Sequence, residues 1–227
     1  MNKSKFISII KDRVKKGRPL CFAHRGASGL TDDIFSAVKL ANSMKIVDGI
    51  EFDVQSTKDK ILVVRHDFCY SDSGNLFWIK DSNYKDILKH TDEKYCPLLK
   101  KILDELKNTK KIIDIEIKQT GIARQVIEEC KRYNILDRIV FTVMLKEIID
   151  EIYQLLPKQA IIFGYPRDRG KNLTNRKWTK LFVDIFIIYY KLMLKYKAKK
   201  YISGVNTPFL SFYNKVLTQE LSDAIHA

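Results

Sequence analysis

In the stretch Ile113-Asp114-Ile115-Glu116-Ile117-Lys118, isoleucines alternate with charged residues at a period of two. An extended chain sends successive side chains to opposite faces, so Asp114, Glu116 and Lys118 share one face. Glu51 and Asp53, within Gly49-Ile50-Glu51-Phe52-Asp53-Val54, repeat that spacing. Two further apolar runs end in polar pairs, His24-Arg25 and His66-Asp67. The carboxylates of Glu51, Asp53 and Glu116 supply hard oxygen ligands with no His or Cys among them. That set suits one divalent cation, Mg²⁺ or Ca²⁺, in preference to Zn²⁺. The imidazoles of His24 and His66 can act near neutral pH as general acid and general base. Arg25 and Lys118 can hold the non-bridging oxygens of a phosphate. A cation, two histidines and two basic side chains together describe cleavage of a phosphodiester. Glycoside hydrolysis would need a carboxylic acid as proton donor and no cationic clamp. Neither a Gly-x-Ser-x-Gly nor a P-loop pattern occurs.

Taken singly, each of these features has an ordinary structural explanation. A pair of acids two apart can be a solvated strand face, and Lys118 can simply neutralise Glu116. Taken together they need a common cause, because four consecutive strand candidates end in charged groups. The elements that must position them alternate along the chain. Strand candidates are PLCFAHR (19–25), VDGIEFDVQ (47–55), KILVVRH (60–66), KIIDIEIK (111–118), RIVFTVM (138–144), QAIIFGY (159–165) and YISGVN (201–206). Amphipathic segments at 34–44, 82–89, 98–107, 121–132, 146–155, 178–199 and 215–226 lie between or after them. β-branched, nearly continuous apolar strands alternating with helices predict a parallel sheet under helices. With no Gly-x-Gly-x-x-Gly turn after the first strand, the pattern favours an α/β fold of the TIM-type (β/α) barrel over a Rossmann sheet. In such a barrel the strand C-terminal ends converge on one mouth. No Ser/Gly/Pro-rich linker interrupts the order, so residues 1–227 read as one domain. Phe6, Ile9, Ile10 and Val14 give residues 1–17 a helical period, expected to cap the barrel's bottom.

The chain has 227 residues, 41 of them Lys or Arg against 27 Asp or Glu, a net charge of +14. Such an excess points to an anionic partner. It is not uniform, since twelve basic residues face only Asp168 and Asp184 between Lys158 and Lys200. Within this stretch, 171–200 reads as a basic, apolar helical insertion. The charges of 178–200 lie along an apolar helix, which suits an anionic membrane surface better than nucleic acid, for which no recognition motif is present. Cys21, Cys69, Cys96 and Cys130 show no metal or redox spacing. The apolar run Phe6–Ile10 is too short for a secretory leader. A cytoplasmic protein, peripheral at the membrane, is the expectation.

The blocks Ala23-His24-Arg25-Gly26-Ala27, Asp48-Gly49-Ile50-Glu51-Phe52-Asp53-Val54-Gln55, Thr57-Lys58-Asp59, Val63-Val64-Arg65-His66-Asp67, Cys96-Pro97-Leu98-Leu99 and Ile115-Glu116-Ile117-Lys118 occur in this order. They resemble the signature blocks of glycerophosphodiester phosphodiesterases, densely over 20–120 and more thinly to about 165. The resemblance implies a TIM-type barrel that hydrolyses glycerophosphodiesters, small-molecule substrates, to glycerol phosphate and an alcohol. It also implies His24 and His66 as the acid/base pair, Glu51, Asp53 and Glu116 as metal ligands, and Arg25 and Lys118 as phosphate contacts. Three departures stand out. Thr31-Asp32-Asp33-Ile34 takes the place of the family's Pro-Glu-Asn-Thr. Tyr70-Ser71-Asp72 stands where an arginine often follows His-Asp. The family's eighth strand, with its Trp-Thr-Val-Asn-like motif, has no counterpart before Ala227. The expectation is therefore a barrel lacking its eighth strand in this chain. The alternative to an active hydrolase is a catalytically impaired barrel that binds anionic lipid or phosphodiester at a membrane surface.

Overall fold

The strand that organises the fold is β2, Gly49–Ser56, and every one of its residues is buried. Its alternation splits it into two unlike faces. Ile50, Phe52 and Val54 lie on one side, Glu51, Asp53 and Gln55 on the other. β6, Ile112–Ile117, pairs with β2 in parallel, with Glu51 opposite Asp114 and Asp53 opposite Glu116. This register stacks acid on acid and isoleucine on apolar residue. β1, Phe22–Ala23, lies parallel on the other side of β2, and β7, Ile139–Val143, lies parallel beyond β6. The β1–β2 pairing depends on Gly49. A Cβ there would lie 2.4 Å from the Phe22 ring.

The computed structural model describes residues 1–165 and 209–212. The chain divides into two compact units, Met1–Ile161 and Ile162–Ala227. In the first, the helices α2 (Ile34–Ser43), α4 (Leu99–Leu106), α5 (Ala123–Arg132) and α6 (Lys146–Leu155) follow successive strands. Each buries an apolar stripe: Ala37, Val38 and Ala41; Leu99, Ile102, Leu103 and Leu106; Val126, Ile127 and Cys130; Ile148, Ile149 and Ile152. Burying a leucine or isoleucine contributes about 1.5–3 kcal/mol, so these stripes, packed on the equally buried strands, contribute substantially to the unit's stability. Helix α1, Lys3–Lys15, is capped by Asn2, whose side chain accepts from the Lys5 amide. It buries Phe6 and lies at the N-terminal ends of strands. Arg13 pairs with Asp48, immediately before β2, and the Met1 amino group donates to the carbonyl of Ile139, the first residue of β7. In the second unit, residues 162–165 of β8 (Ile161–Tyr165) pair in parallel with β9 (Phe209–Phe212).

Two parts of the alternation expected from sequence are corrected. The third strand, β3 (Leu62–Val64), is antiparallel to β2, with Val54 opposite Val64. No helix separates the two, and the turn at Thr57–Lys60 closes a hairpin. There the Thr57 amide donates to the Ile61 carbonyl and the Thr57 hydroxyl to Asp59. The chain after β3 then forms a second hairpin that sequence periodicity did not register. β4 (Cys69–Asp72) pairs with β5 (Asn75–Trp78) across Ser73-Gly74, both at positive φ, the geometry of a tight two-residue turn. Tyr70, Phe77 and His90 stack over this hairpin. The helix expected over 82–89 is one turn, α3, Tyr84–Ile87. Three expectations lie outside the described residues: the insertion at 171–200 with its membrane-facing segment 178–200, the strand at 201–206, and the helix at 215–226.

Candidate functional site

The parallel register of β2 and β6 places Glu51, Asp53 and Glu116 together, all buried. One oxygen from each can be chosen so that all lie within 4.8 Å of one another. Burial pushes the Glu51 carboxyl up to about 9, with Asp53 and Asp114 adding repulsion. Burial also raises Glu116, although Lys118 opposes the shift. The Lys118 ammonium lies 3.0 Å from Asp53 Oδ1 and 3.0 Å from Glu116 Oε1. Its burial works against the charge, but the two carboxylates outweigh that and hold its pKa above the usual lysine value. Behind Glu51, Asp114 accepts the Thr142 hydroxyl on both oxygens at 2.9 Å. Burial pushes Asp114 up to about 7.

Do these groups suit a cation? Glu51 Oε1 is buried with no hydrogen-bond partner. An unpaired buried carboxylate oxygen is costly. A divalent ion among three oxygen ligands would satisfy it and reverse the repulsion that raises Glu51. The donor set fits a hard cation.

His24 and Arg25 come from the turn after β1. Arg25 and Gly26 both have positive φ, at +52° and +64°. Their amides converge on one residue, Arg25 N–H donating to Glu51 Oε2 at 2.7 Å and Gly26 N–H to the Glu51 carbonyl at 2.8 Å. These bonds hold a non-glycine residue in a left-handed conformation that costs of order 1–3 kcal/mol. Gly26 cannot be larger, since a Cβ would lie 2.6 Å from the Val38 amide nitrogen of α2. The turn therefore presents His24 Nε2 3.8 Å from Glu51 Oε2. Although the side chain is largely exposed, partial desolvation and then the neighbouring Arg25 charge lower the His24 pKa. Arg25 Nε is buried without a partner, and among the described residues Arg25 forms no ion pair. Its charge is available to an anion.

His66 arrives from the opposite direction. Because β3 runs back along β2, the chain passes Asp53 again, and Arg65 N–H donates to the Asp53 carbonyl at 3.0 Å. His66 Nδ1 lies 2.8 Å from Asp67 Oδ1, which leaves Nε2 as the nitrogen open to a reacting group. That hydrogen bond, more than any other contact, holds the Asp67 carboxyl below its usual range. Arg25, Asp53, Arg65, His66, Asp67 and Tyr95 are among the residues that line a cavity of about 210 Å³, as are Asp32 and Asp33. A wider open depression of about 540 Å³ along Lys131, Asn134 and Arg138 contains none of these groups.

All seven residues singled out from sequence therefore lie around one cluster. Glu51, Asp53, Glu116 and Lys118 form its floor, His24 touches Glu51, and Arg25 and His66 line the cavity. Sequence reasoning put Asp114 on the face of Glu116 and Lys118, but missed Gln55 and Thr142. Gln55 and Asp114 were visible in the period of two, which puts them on the carboxylate faces of β2 and β6. Asp33 caps α2 by accepting the Ser36 amide at 2.8 Å, so the departure at Thr31–Ile34 still carries a helix start.

The sequence model of the glycerophosphoryl diester phosphodiesterase family matches residues 24–161, which contain all seven residues. A glycerophosphodiester phosphodiesterase of Caldanaerobacter subterraneus subsp. tengcongensis is 29% identical over 160 residues, 63% of this chain and 65% of that protein. The chain spans between about half and two thirds of the length of the curated relatives it matches. A solved glycerophosphodiester phosphodiesterase from Parabacteroides distasonis superposes with a TM-score of 0.56 at 18% identity, over 91% of this chain and 96% of that one. A phosphodiesterase of Oleispira antarctica, solved with the product sn-glycerol-3-phosphate, gives 0.52 at 16% identity, over 92% and 97%. Likeness at such identities speaks for the fold, an α/β barrel of the TIM type. Among the described residues no helix is long and apolar enough to cross a membrane.

Proposed function

The chain belongs to the glycerophosphoryl diester phosphodiesterase family, and on that premise we propose that it hydrolyses glycerophosphodiesters to glycerol phosphate and an alcohol. The observation that carries the reading is the union of three groups at one place. A buried carboxylate triad, two histidines approaching from different strands, and an arginine without an ion pair among the described residues share the same strand ends. Glu51, Asp53 and Glu116 would hold a divalent cation, Mg²⁺ or Ca²⁺, which when bound offsets the negative charge of the phosphodiester. Arg25 would bind a non-bridging oxygen, adding charge stabilisation as the phosphorus becomes five-coordinate. Lys118, already shared by Asp53 and Glu116, would add positive charge from below.

One histidine takes a proton from the attacking oxygen, which is either water or the free hydroxyl of the glycerol moiety. The P–O bond to the alcohol breaks, and the other histidine gives a proton to the departing oxygen. Attack by the hydroxyl would pass through a cyclic phosphate, which water then opens. The roles separate by leaving group. With a p-nitrophenyl ester of glycerol phosphate, whose leaving oxygen needs no proton, the variant lacking the acid recovers rate and the variant lacking the base does not.

The test is release of glycerol phosphate from glycerophosphocholine with Mg²⁺ or Ca²⁺, and again with EDTA. Metal-dependent release that falls at least about 100-fold in both His24→Ala and His66→Ala is expected. Near wild-type turnover in either variant, or no release with either metal, would overturn the reading.

A further inference from the structure

Gln55 is fully buried on β2, two residues beyond Asp53 and four beyond Glu51. The period of the strand puts its side chain on the carboxylate face. Its amide nitrogen gives both protons to the backbone on either side of His66, to the Arg65 carbonyl at 2.7 Å and the Asp67 carbonyl at 2.9 Å. The Arg65 amide is meanwhile fixed by the Asp53 carbonyl, and the His66 ring is held through Nδ1 by Asp67. Backbone and ring of His66 thus both depend on a segment tied to β2, and Gln55 makes two of the ties. No secondary structure does this work, because β3 ends at Val64 and β4 begins at Cys69.

We propose that Gln55 is the positioning residue for His66, fixing it relative to the carboxylate strand so that proton transfer and cation share one rigid frame. The energetics of the amide favour a role in geometry over one in stability. Gln55 Oε1 is buried and has no hydrogen-bond partner. A buried unpaired acceptor offsets much of what two donated bonds contribute. What the two bonds do without offset is set where residues 65–67 lie. Reacting groups misplaced by about 1 Å lose on the order of 100-fold in rate, so the position of this segment matters far more to turnover than to folding.

The inference rests on His66 acting in the proposed hydrolysis, and the test separates the two. Gln55→Leu keeps the approximate volume and removes both donors. Gln55→Met does the same with a more pliable chain and serves if the leucine variant does not fold. With glycerophosphocholine, kcat is expected to fall about 10- to 100-fold, with KM within about threefold and the cation titration unchanged. In a His66→Ala background the same substitution should cost less than about twofold, because the group it positions is gone. Independently of activity, the imidazole Hε1–Cε1 NMR signal of His66 should shift or broaden in the Gln55 variant while that of His24 stays. Should the wild type show no hydrolysis, the functional reading fails and the NMR signal alone decides the positioning. An unshifted His66 signal, kcat within twofold of wild type, or a full additional loss in the His66→Ala background would each overturn the proposal.

Discussion

Replacing Lys118 by methionine probes the charge balance of the site most directly. The ammonium is almost wholly buried and lies 3.0 Å from an oxygen of both Asp53 and Glu116. At an effective dielectric of about 20, each contact is worth roughly 5 kcal/mol of gross Coulomb energy, most of it spent on desolvation. Breaking a buried pair by removing one partner typically costs about 3–5 kcal/mol. A second route to the number sets a ceiling. The abandoned site can neutralise itself by taking up a proton on one carboxylate. At pH 7, for an ordinary glutamate pKa near 4.3, that costs about 3.7 kcal/mol. The two routes agree, and Lys118→Met in EDTA should melt roughly 7–15 °C below wild type, taking 2–4 °C per kcal/mol for a domain of this size. The pH dependence follows. Lys118 has a raised folded pKa, so its contribution in the wild type is present at all pH values below the unfolded value near 10.4 and is lost only as pH rises through the folded pKa. In the variant, the unbalanced carboxylates gain protons readily in acid. The gap from wild type should therefore narrow as pH falls from 7 towards 5. Saturating Mg²⁺ or Ca²⁺ should narrow it as well, by supplying the missing positive charge. Thermal melts across pH, with EDTA and with each cation, measure all of this. A variant as stable as wild type in EDTA at pH 7, or a deficit unmoved by pH and by both cations, would refute the reasoning.

The helix start and the turn after β1 can be probed separately. Asp33→Ala removes the N-cap of α2 and should cost about 1 kcal/mol, while Asp33→Ser should recover most of it, as read by urea unfolding. Although its partial desolvation pulls the other way, bonds from Ser36 hold the Asp33 carboxyl below 3.8. Its share of stability is therefore present above the unfolded pKa and lost as pH falls through the lower folded value. The alanine variant's deficit should shrink below about pH 3.8 in acid titrations followed by circular dichroism. Gly26→Ala meets backbone at 2.6 Å from a positive φ, so it must displace the turn that carries His24 and Arg25. We expect at least about 1–3 kcal/mol of destabilisation and loss of nearly all turnover. Wild-type activity in that variant would show that the turn is not needed in this form.

The site was more legible in the sequence than the topology. Glu51, Asp53, Glu116 and Lys118 could be read because charged residues at a period of two inside isoleucine runs have no cause in a helix-covered sheet unless they meet one another. The parallel register that brings Asp53 opposite Glu116 turned that pattern into a cluster. The direction of β3 was not legible. Leu62–Val64 is as apolar as a barrel strand, and periodicity does not encode which way a strand runs. The clue was the short spacing from Ser56 to Leu62, too short for a crossover and long enough for a hairpin. The β4–β5 hairpin was announced by Ser73-Gly74, but its short strands, β5 largely exposed, lack the alternation that marks a buried one. The face of Gln55 could be read from the period of two, but what its side chain holds was hidden for another reason. Its partners are carbonyls, which every residue has, so nothing in their side chains could point back to it.

The antiparallel course of β3 also explains why both histidines can serve one cluster although they close different strands. A parallel third strand would need a crossover and would bring its end to the rim as an independent element. A hairpin instead returns the chain along the strand that carries Glu51 and Asp53, so Arg65, the residue before His66, is reached only ten residues after its fixing partner Gln55 passes the cluster. The β1 turn makes the corresponding link on the other side, through the Arg25 and Gly26 amides on Glu51. β2 is consequently bonded to both histidine-bearing segments as well as to β6. A perturbation that shifts β2 along its axis would displace the carboxylates and both histidines together, whereas one that loosens only the Gln55 connection would misplace His66 and leave the cation ligands where they are. The Gln55 substitution falls in the second class, so it should lower turnover without weakening the cation titration by a comparable factor, whereas Gly26→Ala, which also frees the Glu51 carboxylate from the Arg25 amide, should weaken both.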